Sequence, residues 1–148
     1  MVLVLGIDYG ARRIGLATGN AVTGTARPLN TIRHDGRHDE KPLDDIDRVI
    51  GEWKPGRIII GLPLAADGSE TAMSRAARSF AADLQARHGE IPVAFQDERY
   101  SSRLAGSHFA QARRDGHARR RDARNLDSVA AAIIVESWLA EHRPGEPA

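Results

Sequence analysis

Residues 2–19 read VLVLGIDYGARRIGLATG. Val2, Leu3, Val4, Leu5 and Ile7 form a nearly continuous apolar run, the pattern of a strand covered on both faces rather than wet on one. Gly10-Ala11-Arg12-Arg13 supplies a turn, and Ile14 to Gly19 returns as a second strand, so the segment predicts a buried hairpin. A carboxylate, Asp8, ends the first strand. Burying a charge there is costly unless something compensates it. The plain alternative is a turn aspartate at the Gly10 bend.

The rest of the chain supplies the layers around this hairpin. Pro28 to Arg33 predicts a third strand at an edge, and Leu43, Ile46, Ile50 and Trp53 mark one apolar face of a helix that Pro55-Gly56 stops. Arg57 to Gly61 is a short apolar strand. The loop LPLAADGS then leads into a helix on which Met73, Ala76, Phe80 and Leu84 share a face. Ile91 to Gln96 is a further strand, followed by a helix from about Ser101 to Ala112, an arginine-rich segment, and a last helix from about Leu126 to Glu141. A three-strand meander followed by alternating helices and strands predicts an α/β fold. Its mixed five-stranded sheet has helices on both faces, and the strands starting near residues 2, 57 and 91 run parallel. That is an RNase H-like arrangement.

A length of 148 residues suits a single domain, expected over 1–142 with RPGEPA (143–148) as a flexible tail. There are no cysteines, so disulfides and thiolate metal sites are excluded, and any metal must bind through oxygen or imidazole. The N-terminus lacks a basic leader region and its apolar run ends at Asp8, so a cytoplasmic protein is expected. The net charge of +1 conceals an uneven layout: Arg113, Arg114, Arg119, Arg120, Arg121 and Arg124 cluster against only Asp115 and Asp122. Such a basic run suits nucleic acid. A solvated loop is the bland reading.

Two further acids join Asp8. In open α/β sheets, ligands sit beyond the carboxyl ends of the strands, where both Asp8 and Asp97-Glu98-Arg99 fall. Neighbouring strand residues face opposite ways, so Asp97 and Glu98 are not both expected to face Asp8. An ion pair with Arg99 is the simpler role for this triplet. Asp127 lies where Asn125 would cap the last helix, and an acid in a first turn is favoured by the helix dipole alone. Yet Leu126, Val129, Ala130, Ile133 and Ile134 mark a helix packed on the sheet, and Ala130-Ala131-Ala132 lets its backbone come close. Acids converging from three segments suit hard cations such as Mg²⁺ or Mn²⁺. In phosphodiester hydrolysis, two such ions about 4 Å apart activate water and stabilise the leaving oxygen.

The segments GIDYGARRIGLA (6–17), GLPLAADGSE (61–70), PVAFQDERYSS (92–102) and LDSVAAAII (126–134) together resemble the YqgF/RuvX family of Holliday-junction-resolvase-like, pre-ribosomal-RNA nucleases. The resemblance implies an RNase H-like fold and a nuclease that matures the small-subunit (16S) ribosomal RNA precursor. It also implies a catalytic, metal-holding set matching Asp8, Glu98 and Asp127. The choice of Glu98 over Asp97 rests partly on it. Tyr100 departs from the aliphatic residue usual in the family.

Around the acids, Arg12 in the hairpin turn, Arg99 and the arginines of 113–124 are candidate nucleic-acid contacts, holding phosphates without reading sequence. The 61–69 loop leads to a helix N-terminus, a natural anion site, or is an ordinary connection capped by Ser69. His34 and His38 read as surface residues. RNA is favoured over branched DNA because a symmetric junction cutter needs a two-fold partner, and no apolar patch in the sequence marks one. A two-domain phosphate-binding ATPase shares the opening hairpin but needs twice the chain, and a non-catalytic RNA-binding module would not need all three acids.

Overall fold

The structure is a computed structural model that describes residues 3–34, 40–99 and 123–142. Strand β1 (Leu3–Tyr9) pairs antiparallel with β2 (Arg13–Asn20), and β2 with the edge strand β3 (Thr25–Arg33). Helix α1 (Lys41–Trp53) leads to β4 (Arg57–Leu62), and α2 (Ala72–Arg87) to β5 (Val93–Asp97), both strands running parallel to β1. The last helix, α3, covers Ala123–Glu141. The sheet order is β3-β2-β1-β4-β5, the mixed five-stranded sheet expected, with β1 at its centre. Pro28 falls where the β2–β3 register slips between Leu16 and Ala17, an edge-strand irregularity that accommodates its missing N–H. The helix expected over 101–112 and the tail 143–148 lie outside the described residues.

Strand alternation sorts the side chains into two layers. Leu5, Ile7, Ile14, Leu16, Ile32, Ile58, Ile60 and Leu62 form one core with Leu43, Ile46 and Ile50 of α1 and Ala77, Phe80, Ala81 and Leu84 of α2. On the opposite face, α3 lies across β1, β2 and β3, with Val4 and Ala17 against Ala131, Ala132, Val135 and Leu139. Three expected faces need correction. Leu126, expected to face the sheet from α3, is 37% exposed, while Ile133 and Ile134 are buried as expected. Trp53 closes α1 and is 39% exposed, because the chain turns at once through Lys54, left-handed at φ 50°, whose N–H caps the Ile50 carbonyl. On α2 the buried stripe is Ser74, Ala77, Phe80, Ala81 and Leu84, one position round from Met73 and Ala76. No helix among the described residues is long and apolar enough to cross a membrane.

Candidate active site

The parity that layers the core also decides which acids meet. Val4 and Gly6 face α3, so Asp8 does as well; along β5, Gln96 reaches Glu141 of α3, so Glu98 follows it to that face. Asp97 points the other way. Its carboxylate is clasped by Arg99 at 2.7–3.1 Å and is held below the usual range, chiefly by those hydrogen bonds. The same guanidinium donates to the Ala66 carbonyl at 3.1 Å, so Arg99 ties the 63–71 loop to the end of β5.

Asp8 and Glu98 are hydrogen-bonded to each other. Burial, then the charge of Asp127, pushes Asp8 up to about 6, while the bond from Glu98 pulls it down. Burial, then the Asp8 charge and hydrogen bond, pushes Glu98 up to about 7. Near neutrality the two therefore share one proton, with Glu98 donating it to Asp8, and they titrate as a pair.

Asp127 reaches this corner through its backbone. A Cβ on Gly15, which stands opposite Asp8 in the hairpin, would lie 1.9 Å from the Asp127 carbonyl oxygen. Only hydrogen at that position lets α3 settle so close. A Cβ on Gly61 would likewise stand 3.1 Å from Cγ and Cδ of Glu98 and 2.5 Å from Cδ1 of Ile134. The Asp127 carboxylate turns toward Arg13, with Oδ2 3.1 Å from Nε. That contact is a charge pair without an aligned N–H, so Oδ2 is buried with no hydrogen-bond donor. Among the described residues no three acids or histidines converge closely enough to enclose a metal. Asp8 and Glu98 are joined, and Asp127 acts on Asp8 by its charge while its carboxylate pairs with Arg13.

A buried, crowded pair retaining a proton, next to a buried carboxylate oxygen without a donor, is an oxygen-only set of the kind a hard divalent cation takes. A consequence follows in chelator. Both folded-state pKa values exceed those of the free carboxyls, near 3.8 and 4.5. Folded protein therefore binds more protons than unfolded across roughly pH 4 to 7, and its stability falls as pH rises through that window. Asp47 and Asp97, whose carboxyls are depressed, lose their contribution as pH falls below it. Thermal melts in chelator from pH 5 to 7.5 should show the decline, and Asp8→Asn should flatten it. A wild-type curve as flat as the variant's would disprove the shared proton.

The remaining expected contacts divide. Arg12 is exposed in the hairpin turn. Arg113, Arg114, Arg119, Arg120 and Arg121 lie outside the described residues, as does the Arg124 side chain. Asp127 is not in the first turn of α3: the helix already runs from Ala123, which puts Asp127 in the second turn and weakens the dipole explanation. Ser69 is not the cap of α2. Thr71 is, accepting from Ser74 N–H at 3.0 Å while Ser74 Oγ accepts from Thr71 N–H, and Ser69 instead donates to Asp67. With those donors engaged, the loop is an ordinary connection. His34 is not simply a surface residue, since its Nε2 lies 2.7 Å from the Gly10 carbonyl and its ring 5.3 Å from Tyr9. Arg13 and Gly15 take parts that no sequence spacing marks, and Gly61, at the head of the 61–69 loop, provides clearance for Glu98 and Ile134.

The chain resembles known proteins over nearly its whole length. A family model described as RuvX, Holliday junction resolvase, matches residues 2–141. A protein of Pseudomonas paraeruginosa named "Putative pre-16S rRNA nuclease" is 42% identical over 141 residues, covering 95% of this chain and 93% of its own. One of the same name from Xanthomonas oryzae pv. oryzae is 45% identical over 138 residues, with 93% and 86% covered. Among solved structures, T. thermophilus RuvC in complex with a Holliday junction substrate superposes with a TM-score of 0.63 at 15% identity, covering 96% of both chains. The yeast mitochondrial Holliday junction resolvase superposes at 0.55 and 12% identity, covering 92% of this chain and 77% of its own. These superpositions bear out the RNase H-like fold.

Proposed function

This chain belongs to the RuvX family, a family of phosphodiester-cleaving nucleases, and from that membership we propose that it cuts single-stranded precursor 16S ribosomal RNA in a divalent-metal-dependent reaction. The observation that carries this reading is the hydrogen-bonded Asp8–Glu98 pair beside the buried Oδ2 of Asp127, at the carboxyl ends of parallel strands. Asp8, Glu98 and Asp127 would hold one or two Mg²⁺ or Mn²⁺ ions, which supply an activated water and stabilisation of the leaving oxygen. Bound ions would displace the proton that Asp8 and Glu98 hold between them, leaving both carboxylates ionised as ligands. Arg13 positions Asp127 and neutralises part of the local negative charge. A cytoplasmic location accompanies this reading, as does a role for the arginines of 113–124 along the RNA backbone.

The family description and the RuvC superposition favour a second reading, resolution of four-way DNA junctions. The relatives' shared name favours RNA. End-labelled precursor RNA and an immobile junction, each with Mg²⁺, Mn²⁺ or chelator, separate the two. Metal-dependent RNA cleavage is expected, with poor or asymmetric nicking of the junction. Paired symmetric nicks at rates well above those on RNA would reverse the substrate, and cleavage undiminished by chelator would remove the metal.

A further inference from the structure

The hairpin turn that delivers Asp8 also builds a cleft that the acids do not use. It is open, about 380 Å³ in volume, and lined by Arg12, Arg13, Arg33 and His34. Arg13 and Arg33 are direct cross-strand partners in the β2–β3 register, and both are exposed. Like charges placed directly opposite one another destabilise a strand pair, so this arrangement is costly unless an anion lies between them. Arg12 brings a third guanidinium. Among the described residues, one carboxylate, Asp127, addresses these cations, and it does so through Arg13.

The cleft is built in advance of any ligand. Gly10 N–H donates to the Arg13 carbonyl and His34 N–H to the Arg12 carbonyl, each at 2.9 Å, fastening the turn to the edge strand. His34 Nε2 lies 2.7 Å from the Gly10 carbonyl, and its ring packs on Tyr9, which rests 4.6 Å from Phe80 of the core. A turn whose backbone is already fastened binds with less ordering cost than a loose one. Guanidinium groups match phosphate oxygens in pairs, which a point-like ammonium does not.

We propose that this cleft is a phosphate subsite, in which Arg12, Arg13 and Arg33 grip the backbone of single-stranded RNA alongside the acids. The inference rests on the nuclease reading above and deepens it. The open cleft exceeds the volume of one phosphate group, which leaves room for the flanking sugars of a strand. Arg13 links the two places, since it lines the cleft and touches Asp127. A strand gripped here is therefore delivered to the carboxylates.

The test measures binding without cleavage. Anisotropy of a short fluorescein-labelled single-stranded RNA with a 5′-hydroxyl end is followed in chelator over a salt series. The double variant Arg12→Ala/Arg33→Ala should bind about tenfold or more weakly, and its log K against log salt slope should fall by about 1.4, two contacts at roughly 0.7 each. Arg33→Gln alone should show about half that loss of slope. Arg48→Ala, an exposed arginine on α1, controls for net charge and should match wild type. Melting temperatures of the Arg33 variants should equal or exceed wild type at low salt, because a like-charge pair has been relieved.

Unchanged affinity and slope in the double variant would overturn the subsite. So would full displacement of RNA by inorganic phosphate at the same phosphate concentration, or a loss confined to a four-way DNA junction. Metal-supported cleavage by wild type is scored separately. If RNA is never cut but the double variant loses binding, the subsite stands and the nuclease reading falls; if RNA is cut and the double variant binds like wild type, the reverse holds.

Discussion

Asp8→Asn is expected to abolish cleavage while making the metal-free protein more stable. Asp8 is the carboxylate shared between the other two: it is hydrogen-bonded to Glu98 and raised by the charge of Asp127. Removing its charge takes away the central oxygen ligand of the set. A loss of roughly 4 kcal/mol of transition-state stabilisation, on the order of a thousandfold in rate, is expected. The same change relieves a buried charge, because the Asp8 carboxyl titrates near 6 rather than 3.8. On the order of 2 kcal/mol should return to the folded state at pH 7.5 in chelator, a rise of about 5 °C in Tm. Divalent metal should reverse the ranking, stabilising wild type by mass action and the variant far less. Cleavage within tenfold of wild type would remove Asp8 from the mechanism, whatever the melting curves show.

Gly15→Ala is expected to be the most damaging glycine-to-alanine change among the described residues. The new carbon would stand 1.9 Å from the Asp127 carbonyl oxygen and 2.9 Å from the Ser128 nitrogen, and both of these are backbone atoms of a helix that cannot swing aside like a flexible side chain. Helix α3 must lift. Overpacking typically costs about 1–3 kcal/mol, and a backbone clash belongs at or beyond the upper end of that range. Lifting α3 also withdraws Asp127, so activity should fall by more than the unfolded fraction explains. Gly51→Ala provides the opposite sign: no atom lies within 4 Å of its Cβ on the exposed face of α1, so a gain of about 0.5–1 kcal/mol is expected. Chemical denaturation of both variants, with cleavage assayed on the folded fraction, checks the pair. Equal stabilities would mean that α3 does not rest on Gly15.

The sheet and the two-sided layering could be read from the sequence because each rests on a local period. The apolar run of β1, the three–four spacing on α1 and the short apolar β4 each predict their own element. Which acids meet was only partly legible. Alternation alone says that Asp97 and Glu98 diverge, but the choice between them needs the register of β5, which Gln96 reveals by its reach to α3. The close approach of α3 was visible from the alanines of the helix, while its complement, Gly15 and Gly61 on the sheet, was not. Glycine in a strand looks like a weakness until the helix above it is known. Arg13 was hidden for a related reason: its partners Arg33 and Asp127 are brought to it by pairing and packing across long stretches of chain, and no spacing rule spans them. The capping of α2 failed at closer range, because Asp67, Ser69 and Thr71 all have the chemistry of a cap and only the backbone selects among them.

Helix α3 lies on a hairpin made more than a hundred residues earlier in the chain, which has a bearing on the order of folding. Strands β1 and β2 pair across a short turn, whereas Asp127 meets Gly15 only after more than a hundred residues of chain have been brought round. Contacts formed late at high entropic cost are also the first to be released, so on warming α3 should detach while the hairpin and the Asp8–Glu98 pair persist. Heat inactivation should then precede the loss of sheet circular dichroism by several degrees, with α3 amides exchanging faster than those of β1 and β4. Coincident transitions would show instead that helix and sheet melt as one unit. If α3 leaves first, the site completes itself only in fully folded molecules, and partly folded chains carry two of its three acids and no means to cut.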